Sequence, residues 1–246
     1  MDTPPDSEQP SSPWPAHFGL PLFPVRLTYL LIGVNILIFL PTFFLGTPVY
    51  SLAGLVPRRI LIDGEWWRLL TGGFLHADLA HIAFNMYALY VFGQDVERIF
   101  GALRFGLIYF LALLGGNVLV ILLTPLDTLT VGASGAILGV LGALVAFYWR
   151  YQELVIGGRR RLTNLVTTAL INLGLGLLPR ISMWGHAGGT LTGLAAGFIL
   201  LPVYRIISQP FPYFEREWKP KREKAGIGLI LGICLLTLGL AIILRT

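Results

Sequence analysis

The most informative part of this sequence for its architecture is residues 105–126, which read FGLIYFLALLGGNVLVILLTPL. These 22 residues lie between Arg104 and Asp127 and include no charged side chain. A helix needs about 20 mostly apolar residues to cross the hydrocarbon core of a membrane. Backbone polar groups in lipid must be paired within the segment, which favours a helix over an open sheet. The stretch therefore predicts a transmembrane helix.

Similar uncharged intervals recur along the chain of 246 residues, which is 55% hydrophobic and only 13% charged, with a mean hydropathy of +0.73. Because soluble domains are about 25% charged, this composition argues against a water-soluble enzyme. The high apolar content also argues against disorder. The intervals predict seven transmembrane helices, near residues 27–45, 78–98, 104–123, 133–149, 162–178, 185–204 and 225–244. We therefore expect an all-α membrane protein.

The distribution of cations predicts how these helices are oriented. With the N-terminus inside, thirteen of the 18 Lys and Arg residues fall on the inner side of the membrane. Cytoplasmic loops carry the excess of Lys and Arg, so we expect a cytosolic N-terminus and an external C-terminus. The basic clusters 159–161 and 219–224 then lie beside the anionic inner leaflet. The net charge of +5 is therefore an orientation signal, and we expect no nucleic-acid partner.

Four segments follow from these features. Residues 1–25 are polar and rich in proline and are expected to form a flexible cytosolic tail. Residues 26–204 hold six of the predicted helices, and residues 205–224 form a basic cytosolic linker. Residues 225–246 hold the seventh helix and a short external end. The single cysteine, Cys234, allows neither an intrachain disulfide nor a cysteine-based metal cluster.

Polar residues in this apolar chain are the candidates for chemistry, because ionisable groups are costly inside a membrane. Ser134 begins the fourth predicted helix and His186 the sixth, and both helices start on the outer side. Glycines recur at four-residue spacing on both helices, which lets membrane helices approach closely. We therefore expect the two side chains near hydrogen-bonding reach, as in a nucleophile and its base. Taken alone, each is more typical of an ordinary membrane serine or a packing histidine.

A third polar cluster lies at the outer end of the second predicted helix. His81 and Asn85 are four residues apart and share one helix face. Both can donate hydrogen bonds to an oxyanion, although such a pair can also simply join neighbouring helices. His76, His81 and His186 offer an alternative metal site, but no carboxylate or cysteine joins them with the usual spacing of ligands. We therefore expect no metal and no cofactor.

Together these residues resemble the motifs of the rhomboid family of intramembrane serine proteases. The resemblance covers roughly residues 26–204 and rests on several motifs in order along the chain. They are Glu65-Trp66-Trp67-Arg68; His76 with His81 and Asn85; Gly93 with Glu97 and Gly101; Gly132-Ala133-Ser134-Gly135; and His186 with Gly189, Gly193 and Gly197. The resemblance implies a rhomboid-like bundle of six transmembrane helices, here with one extra C-terminal helix in a 6+1 arrangement.

Roles for individual residues also come from this resemblance. It implies that Ser134 is the nucleophile and that His186 is its general base. It implies that His81, Asn85 and the backbone N–H of Ser134 form the oxyanion hole. The remaining residues of the implied site support it: His76, Gly132, Gly135, Glu65 and Arg68. Of these, Glu65 and Arg68 resemble a structural rather than a chemical motif.

The implied activity is cleavage of a transmembrane segment of another protein near the outer leaflet by a serine-type endopeptidase. Its partners would be transmembrane protein substrates and the lipid bilayer. The link 179–184 and the fifth helix resemble the cap and side gate that admit substrate in the family. A bacterial plasma membrane is the expected location. Two other hypotheses stay open: a non-catalytic membrane chaperone on the same scaffold, and a small proton-coupled transporter with a polar path across the membrane.

Overall fold

The computed structural model describes residues 22–207, 213–217 and 219–245, and this part of the chain is mostly helical. Most of the predicted tail, residues 1–21, and the C-terminal residue 246 lie outside the described residues. The helices are α1 (Leu27–Leu45), α2 (Thr47–Ala53), α3 (Pro57–Leu61), α4 (Arg68–Thr71), α5 (Leu79–Ala88), α6 (Gln94–Phe100), α7 (Ala102–Leu123), α8 (Ser134–Tyr151), α9 (Gly158–Leu175), α10 (Met183–Leu200) and α11 (Pro220–Arg245). A 3₁₀ turn at Gly72–Phe74 follows α4, and a π-helical turn at Leu89–Gly93 joins α5 to α6.

Helical stretches occur at all seven of the predicted membrane segments. The second is composite, because α5, the π-helical turn and α6 run without a break from residue 79 to residue 100. Within the described part of the chain, four helices are long and apolar enough to cross a membrane: α1, α7, α8 and α11. The other three predicted segments contain features that interrupt a long apolar helix. These features are the π-helical turn between α5 and α6, the arginines that begin α9, and the glycines and histidine of α10. The structure therefore agrees with a helical membrane bundle.

Helices α7, α8 and α10 form the centre of the bundle, with α10 packed against both of the others. Small residues make this packing possible. A Cβ atom on Gly189 of α10 would overlap the carbonyl of Gly135 on α8, and one on Gly193 would overlap the backbone of Gly139. Because the two backbones touch, these positions leave no room for a side chain. The contact also brings the N-terminal turns of α8 and α10 side by side.

The outer helices α1 and α11 present apolar side chains away from the bundle. Examples are Leu37 and Phe44 on α1 and Leu236 and Ile243 on α11, each at least two-thirds exposed. In water such surfaces would be large apolar patches, which soluble monomers rarely expose. They are the surfaces expected to face lipid.

A buried carboxylate connects α1 to α6. Glu97 accepts hydrogen bonds from the backbone N–H groups of Arg26, Leu27 and Thr28 at 2.7–2.9 Å and from the Thr28 hydroxyl at 2.7 Å. The first N–H groups of a helix have no acceptor within that helix. Glu97 therefore caps α1 from a second helix and fixes how the two ends meet.

Polar contacts also hold α11 against α7 at both of its ends. Arg104 at the start of α7 forms an ion pair with Glu223, with Nη2 and Oε2 3.0 Å apart. At the other end, the Arg245 guanidinium donates to the carbonyls of Ile121 and Thr124. These carbonyls belong to the last turn and C-cap of α7. Helix α11 is therefore aligned along α7 rather than only tethered by the preceding segment.

Two antiparallel strands, which the sequence did not predict, precede α11. Strand β1 (Val203–Ile207) pairs with β2 (Tyr213–Glu217), with Val203 opposite Glu217. Most of β1, all of β2 and the first turn of α11 therefore lie within the predicted linker 205–224, and the boundary at residue 204 falls inside β1. Pro202 explains why α10 ends at Leu200 rather than at 204, because the residue before a proline is disfavoured in helical conformation. Pro220, at the first position of α11, starts that helix before residue 225.

Candidate active site

Ser134 and His186 meet at the N-terminal ends of α8 and α10. The hydroxyl Oγ of Ser134 lies 2.9 Å from Nε2 of His186, and His186 is only 7% exposed. Ser182 fixes the start of α10, because its Oγ accepts from the N–H of Gly185 and its carbonyl accepts from the N–H of His186. The close approach expected from the glycine spacing is thus present in the structure. A hydrogen bond between a serine hydroxyl and an imidazole is the arrangement that activates the hydroxyl as a nucleophile.

Gly135 follows Ser134 and lets α10 come close enough for this hydrogen bond. A Cβ atom at residue 135 would lie 2.9 Å from the carbonyl oxygen of Gly185. Any larger residue would therefore push the start of α10 away from α8. Gly135 is a spacing position rather than a source of chemistry.

The other ring nitrogen of His186 faces helix α9. Its Nδ1 lies 3.2 Å from the backbone oxygen of Asn172, in the last turn of α9. The pair Ser134 and His186, which we call the dyad, consequently lies between the N-terminus of α8 and the C-terminus of α9. Helix N-termini carry a partial positive charge and helix C-termini a partial negative charge. That polarity suits an oxyanion near Ser134 and an imidazolium at His186, although the N-terminus of α10 partly opposes the imidazolium.

His81 lies beside Ser134 at the start of α5. Asp78 caps this helix, with its Oδ1 accepting from the N–H of His81 at 2.8 Å. The N–H of Ala77 donates to Nδ1 of His81 at 3.4 Å. Because Nδ1 is an acceptor in this contact, the neutral ring carries its hydrogen on Nε2. His81 therefore offers an Nε2–H donor toward the dyad.

Gly132 makes room for the His81 ring. Its φ of 126° lies in a region that side chains with a Cβ rarely adopt, and a Cβ there would be 2.7 Å from Nε2 of His81. The same position is 3.8 Å from Oγ of Ser134. His81 Nε2 and Ser134 Oγ therefore flank one small space, in which a substrate carbonyl oxygen can be placed.

Asn85 lies one helical turn from His81 on the same face of α5 and is buried. Its Nδ2 donates to the backbone carbonyl of His81 at 2.8 Å. A carboxamide carries two N–H groups, so one remains for an acceptor in the site. The structure places Asn85 next to the His81 side of the site and not in a direct hydrogen bond to Ser134.

His76 packs behind His81 in the external segment that precedes α5. The two rings are 5.0 Å apart between centroids and nearly perpendicular, and the Tyr50 hydroxyl donates to the His76 carbonyl at 2.9 Å. Among the residues that the structure describes, neither ring nitrogen of His76 has a hydrogen-bond partner. Burial lowers the pKa of His76 to about 4, and the nearby His81 adds to this effect. His76 is therefore a neutral ring that supports His81.

Arg68 and Glu65 organise the external segment between α1 and α5. The Arg68 side chain is buried, with Nε 2.5 Å from Oε2 of Glu65. Its two terminal nitrogens donate to the carbonyls of Gly54 and Ser51, each at 2.6 Å. One guanidinium thus joins three parts of the segment. These contacts are with the loop itself and leave Arg68 no part in the chemistry at Ser134.

Three contributors to the site were not predicted from the sequence. Ser182 had a recognisable signal, because a serine before a helix start is a typical N-cap. Tyr50 had no recognisable signal in the sequence, because its hydroxyl donates to the carbonyl of His76, which is 26 residues away. Asn172 contributes a backbone carbonyl, which every residue has, so only the packing of α9 against α10 reveals it.

Residues 63–203 match the family model described as "Rhomboid domain". Among similar curated proteins, "RHOMBOID-like protein 6, mitochondrial" from Arabidopsis thaliana is 37% identical over 161 residues, which are 64% of this chain and 52% of that protein. "RHOMBOID-like protein 4" from the same plant is 35% identical over 76% of this chain and 47% of its own length.

"Rhomboid protease GluP" from Bacillus subtilis (strain 168) is 37% identical over 187 residues. The match covers 74% of this chain and 35% of that protein. The chain therefore spans about half or less of the length of these relatives. The part of the chain that matches the family model, residues 63–203, includes Glu65, Ser134 and His186.

Proposed function

Because the chain belongs to the rhomboid family, we propose that it is an intramembrane serine endopeptidase. The family includes a protein named as a protease, the B. subtilis relative. The observation that carries the proposal is the 2.9 Å hydrogen bond between Ser134 Oγ and His186 Nε2, in which the serine is half-buried and the histidine is buried. The substrate class we propose is a transmembrane segment of another protein, because the site lies within a bundle whose outer surface is apolar.

The reaction begins with proton transfer within the dyad. His186 Nε2 takes the hydroxyl proton while Ser134 Oγ bonds to the carbonyl carbon of the substrate peptide bond. The electron pair of the carbonyl moves onto its oxygen. The C–N bond then breaks, and His186 returns the proton to the leaving nitrogen. Water, deprotonated by His186, hydrolyses the acyl-enzyme and regenerates Ser134.

Donors beside Ser134 stabilise the oxyanion of this reaction. The backbone N–H of Ser134 lies in the first turn of α8, where N–H groups have no acceptor within the helix. The Nε2–H of His81 and the second N–H of Asn85 are the side-chain donors. Each such donor typically contributes a factor of about 100–1000 to turnover.

We propose the 6+1 arrangement, with the six-helix core followed by strands β1 and β2 and by α11 as the seventh membrane helix. The proposed orientation has the N-terminus in the cytosol and the C-terminus outside, from the distribution of Lys and Arg. Ser134 and His186 then lie near the outer leaflet. The relatives come from a plant and a bacterium, and the bacterial plasma membrane stays a prediction.

The test is cleavage of a labelled transmembrane substrate by the purified protein in proteoliposomes. Ser134→Ala is compared with Ser51→Ala, which makes the same change at an exposed hydroxyl in the external segment. We expect cleavage by wild type and Ser51→Ala and none by Ser134→Ala. Undiminished cleavage by Ser134→Ala, with contaminating proteases excluded, would contradict the mechanism. Wild-type protein that binds the substrate without cutting it would favour the chaperone hypothesis instead.

A further inference from the structure

The last turn of α9 meets the first turn of α10 beside the dyad. The Asn172 carbonyl accepts the N–H of Gly176 at 3.2 Å and faces Nδ1 of His186 at 3.2 Å. The Asn172 side chain is occupied elsewhere, because its Nδ2 donates to the carbonyl of Thr168 at 2.8 Å. The contact with His186 is therefore made by the backbone of α9 and not by an amide side chain.

This contact determines which nitrogen of His186 carries the hydrogen. A carbonyl oxygen only accepts hydrogen bonds, so the hydrogen must be on Nδ1. In the neutral ring, Nε2 then holds a lone pair that faces the Ser134 hydroxyl at 2.9 Å. With the hydrogen on Nε2 instead, the ring would donate to Ser134 and could not take its proton. Only one of the two neutral forms of His186 is a base toward Ser134.

We propose that the Asn172 backbone carbonyl is the positioning group of the catalytic base, holding His186 in the form with hydrogen on Nδ1. The inference rests on the proposed function. In a Ser-His-Asp triad a carboxylate orients the histidine and selects its tautomer. Here a carbonyl near the C-terminus of α9 fulfils both tasks, and the negative end of that helix also favours the imidazolium that forms during the reaction.

Helix α9 is weakly embedded, which makes its position part of the catalytic arrangement. Only Gly158 and Ala169 are buried among its residues. Its inner end is held by Arg161, whose Nη1 lies 3.0 Å from the Tyr148 hydroxyl and 3.5 Å from Oδ2 of Asp95. The outer end, which carries the carbonyl, contacts the start of α10. A displacement of that end removes the Nδ1 acceptor, so the tautomer of His186 depends on where α9 lies.

Gly176 offers a way to displace the carbonyl without altering Asn172 or His186. A Cβ atom there would lie 2.8 Å from Cα of Met183 and 3.0 Å from the carbonyl of Leu173, so Gly176→Ala must move α9 away from α10. Gly174 is the matched control, because a Cβ at that position has nothing within 4 Å. Both variants make the same substitution in the same turn.

Nitrogen-15 NMR of protein labelled at histidine measures the tautomer directly. The chain has only four histidines, and His186→Gln identifies the His186 signals by their loss. At about pH 8, above the ordinary histidine pKa of about 6.5, the ring is neutral. We expect hydrogen on Nδ1 in wild type and Gly174→Ala, and loss of that form in Gly176→Ala. Wild-type protein with hydrogen on Nε2 would overturn the proposal without any variant.

The rate at which Ser134 reacts with a small fluorophosphonate is the second readout. This probe modifies the serine directly, so no transmembrane substrate is needed. We expect folded Gly176→Ala to react about 10–100-fold more slowly, which is part of the factor of about 100–10,000 that a positioned general base contributes. Gly174→Ala should match wild type. A folded Gly176→Ala protein that keeps the Nδ1–H form, or loses it and reacts at the wild-type rate, would overturn the proposal. If the wild-type protein has the Nδ1–H form of His186 but its Ser134 never reacts with the fluorophosphonate, the result would contradict the protease function and not the positioning role of Asn172.

Discussion

Gly189 of α10 lies directly against the backbone carbonyl of Gly135 of α8, so closely that a Cβ atom on Gly189 would overlap that oxygen. Ser134 precedes Gly135, and His186 lies three residues before Gly189. The backbone contact between the two glycines therefore sets the 2.9 Å separation of the dyad. The geometry of the proposed catalytic pair depends on helix packing at positions that carry no chemistry.

Replacing Gly189 by alanine should disturb the fold and the dyad together. We expect Gly189→Ala to lower the free energy of unfolding by about 1–3 kcal/mol, the usual range for overpacking, and to reduce cleavage. Gly33→Ala is the control, because a Cβ at Gly33 in α1 has nothing within 4 Å. Unfolding in mixed micelles measures the first effect. Equal stability and activity of the two variants would contradict the packing role.

Gly132→Ala should impair activity more than stability. The new methyl group would displace the His81 ring, whose Nε2 lies 2.7 Å from that position, and with it a donor to the oxyanion. We expect turnover to fall by about 10–1000-fold. Gly157→Ala controls for backbone strain alone, because Gly157 also has a positive φ but has nothing within 4 Å of its Cβ position. Similar turnover in the two variants would show that His81 is not displaced.

Asn85→Ala tests the second side-chain donor to the oxyanion. We expect turnover to fall by about 10–1000-fold with the fold intact. Asn35→Ala is matched to it, because Asn35 is also buried and its Nδ2 donates to a carbonyl four residues earlier, that of Leu31, at 2.7 Å. The two variants should lose similar stability, measured by thermal unfolding. Wild-type turnover in Asn85→Ala would remove Asn85 from the oxyanion hole.

His76 should make stability depend on pH. Its pKa in the folded protein is about 4, below the unfolded value of about 6.5, so between these values the unfolded chain binds a proton that the folded chain does not. Stability should therefore fall as the pH drops from about 6.5 to 4, by about 3 kcal/mol in all.

His76→Gln isolates this effect from the titration of the other histidines. Thermal unfolding of wild type and His76→Gln should be compared between pH 4 and pH 8. We expect a steeper loss of stability in wild type below about pH 6.5 and parallel behaviour above it. Parallel curves over the whole range would show that His76 is not held neutral by burial.

The sequence was sufficient to predict helical structure at seven stretches and the approach of Ser134 to His186, but not the short helices α2, α3 and α4. Uncharged intervals locate the membrane helices because charge is excluded from lipid, and glycines every fourth residue predict that α8 and α10 touch. The spacing of His81 and Asn85 likewise places both on one face of α5.

Tertiary contacts account for what the sequence did not indicate. Strands β1 and β2 fall mostly within the predicted linker 205–224, and the sequence did not indicate them because short strand pairs give little periodic signal. The Asn172 contact uses a main-chain oxygen, so the identity of the residue carries no information about it. The Arg68 contacts with Ser51 and Gly54 likewise end on carbonyls, which only the folded loop brings together.

Covalent labelling by a fluorophosphonate, with the modified residue mapped by mass spectrometry, tests directly whether Ser134 is a nucleophile activated by His186. We expect a single adduct on Ser134, no adduct in Ser134→Ala, and labelling about 100-fold slower or more in His186→Ala, because the hydroxyl has lost its base. An adduct on another serine, or undiminished labelling of Ser134 in His186→Ala, would contradict these roles.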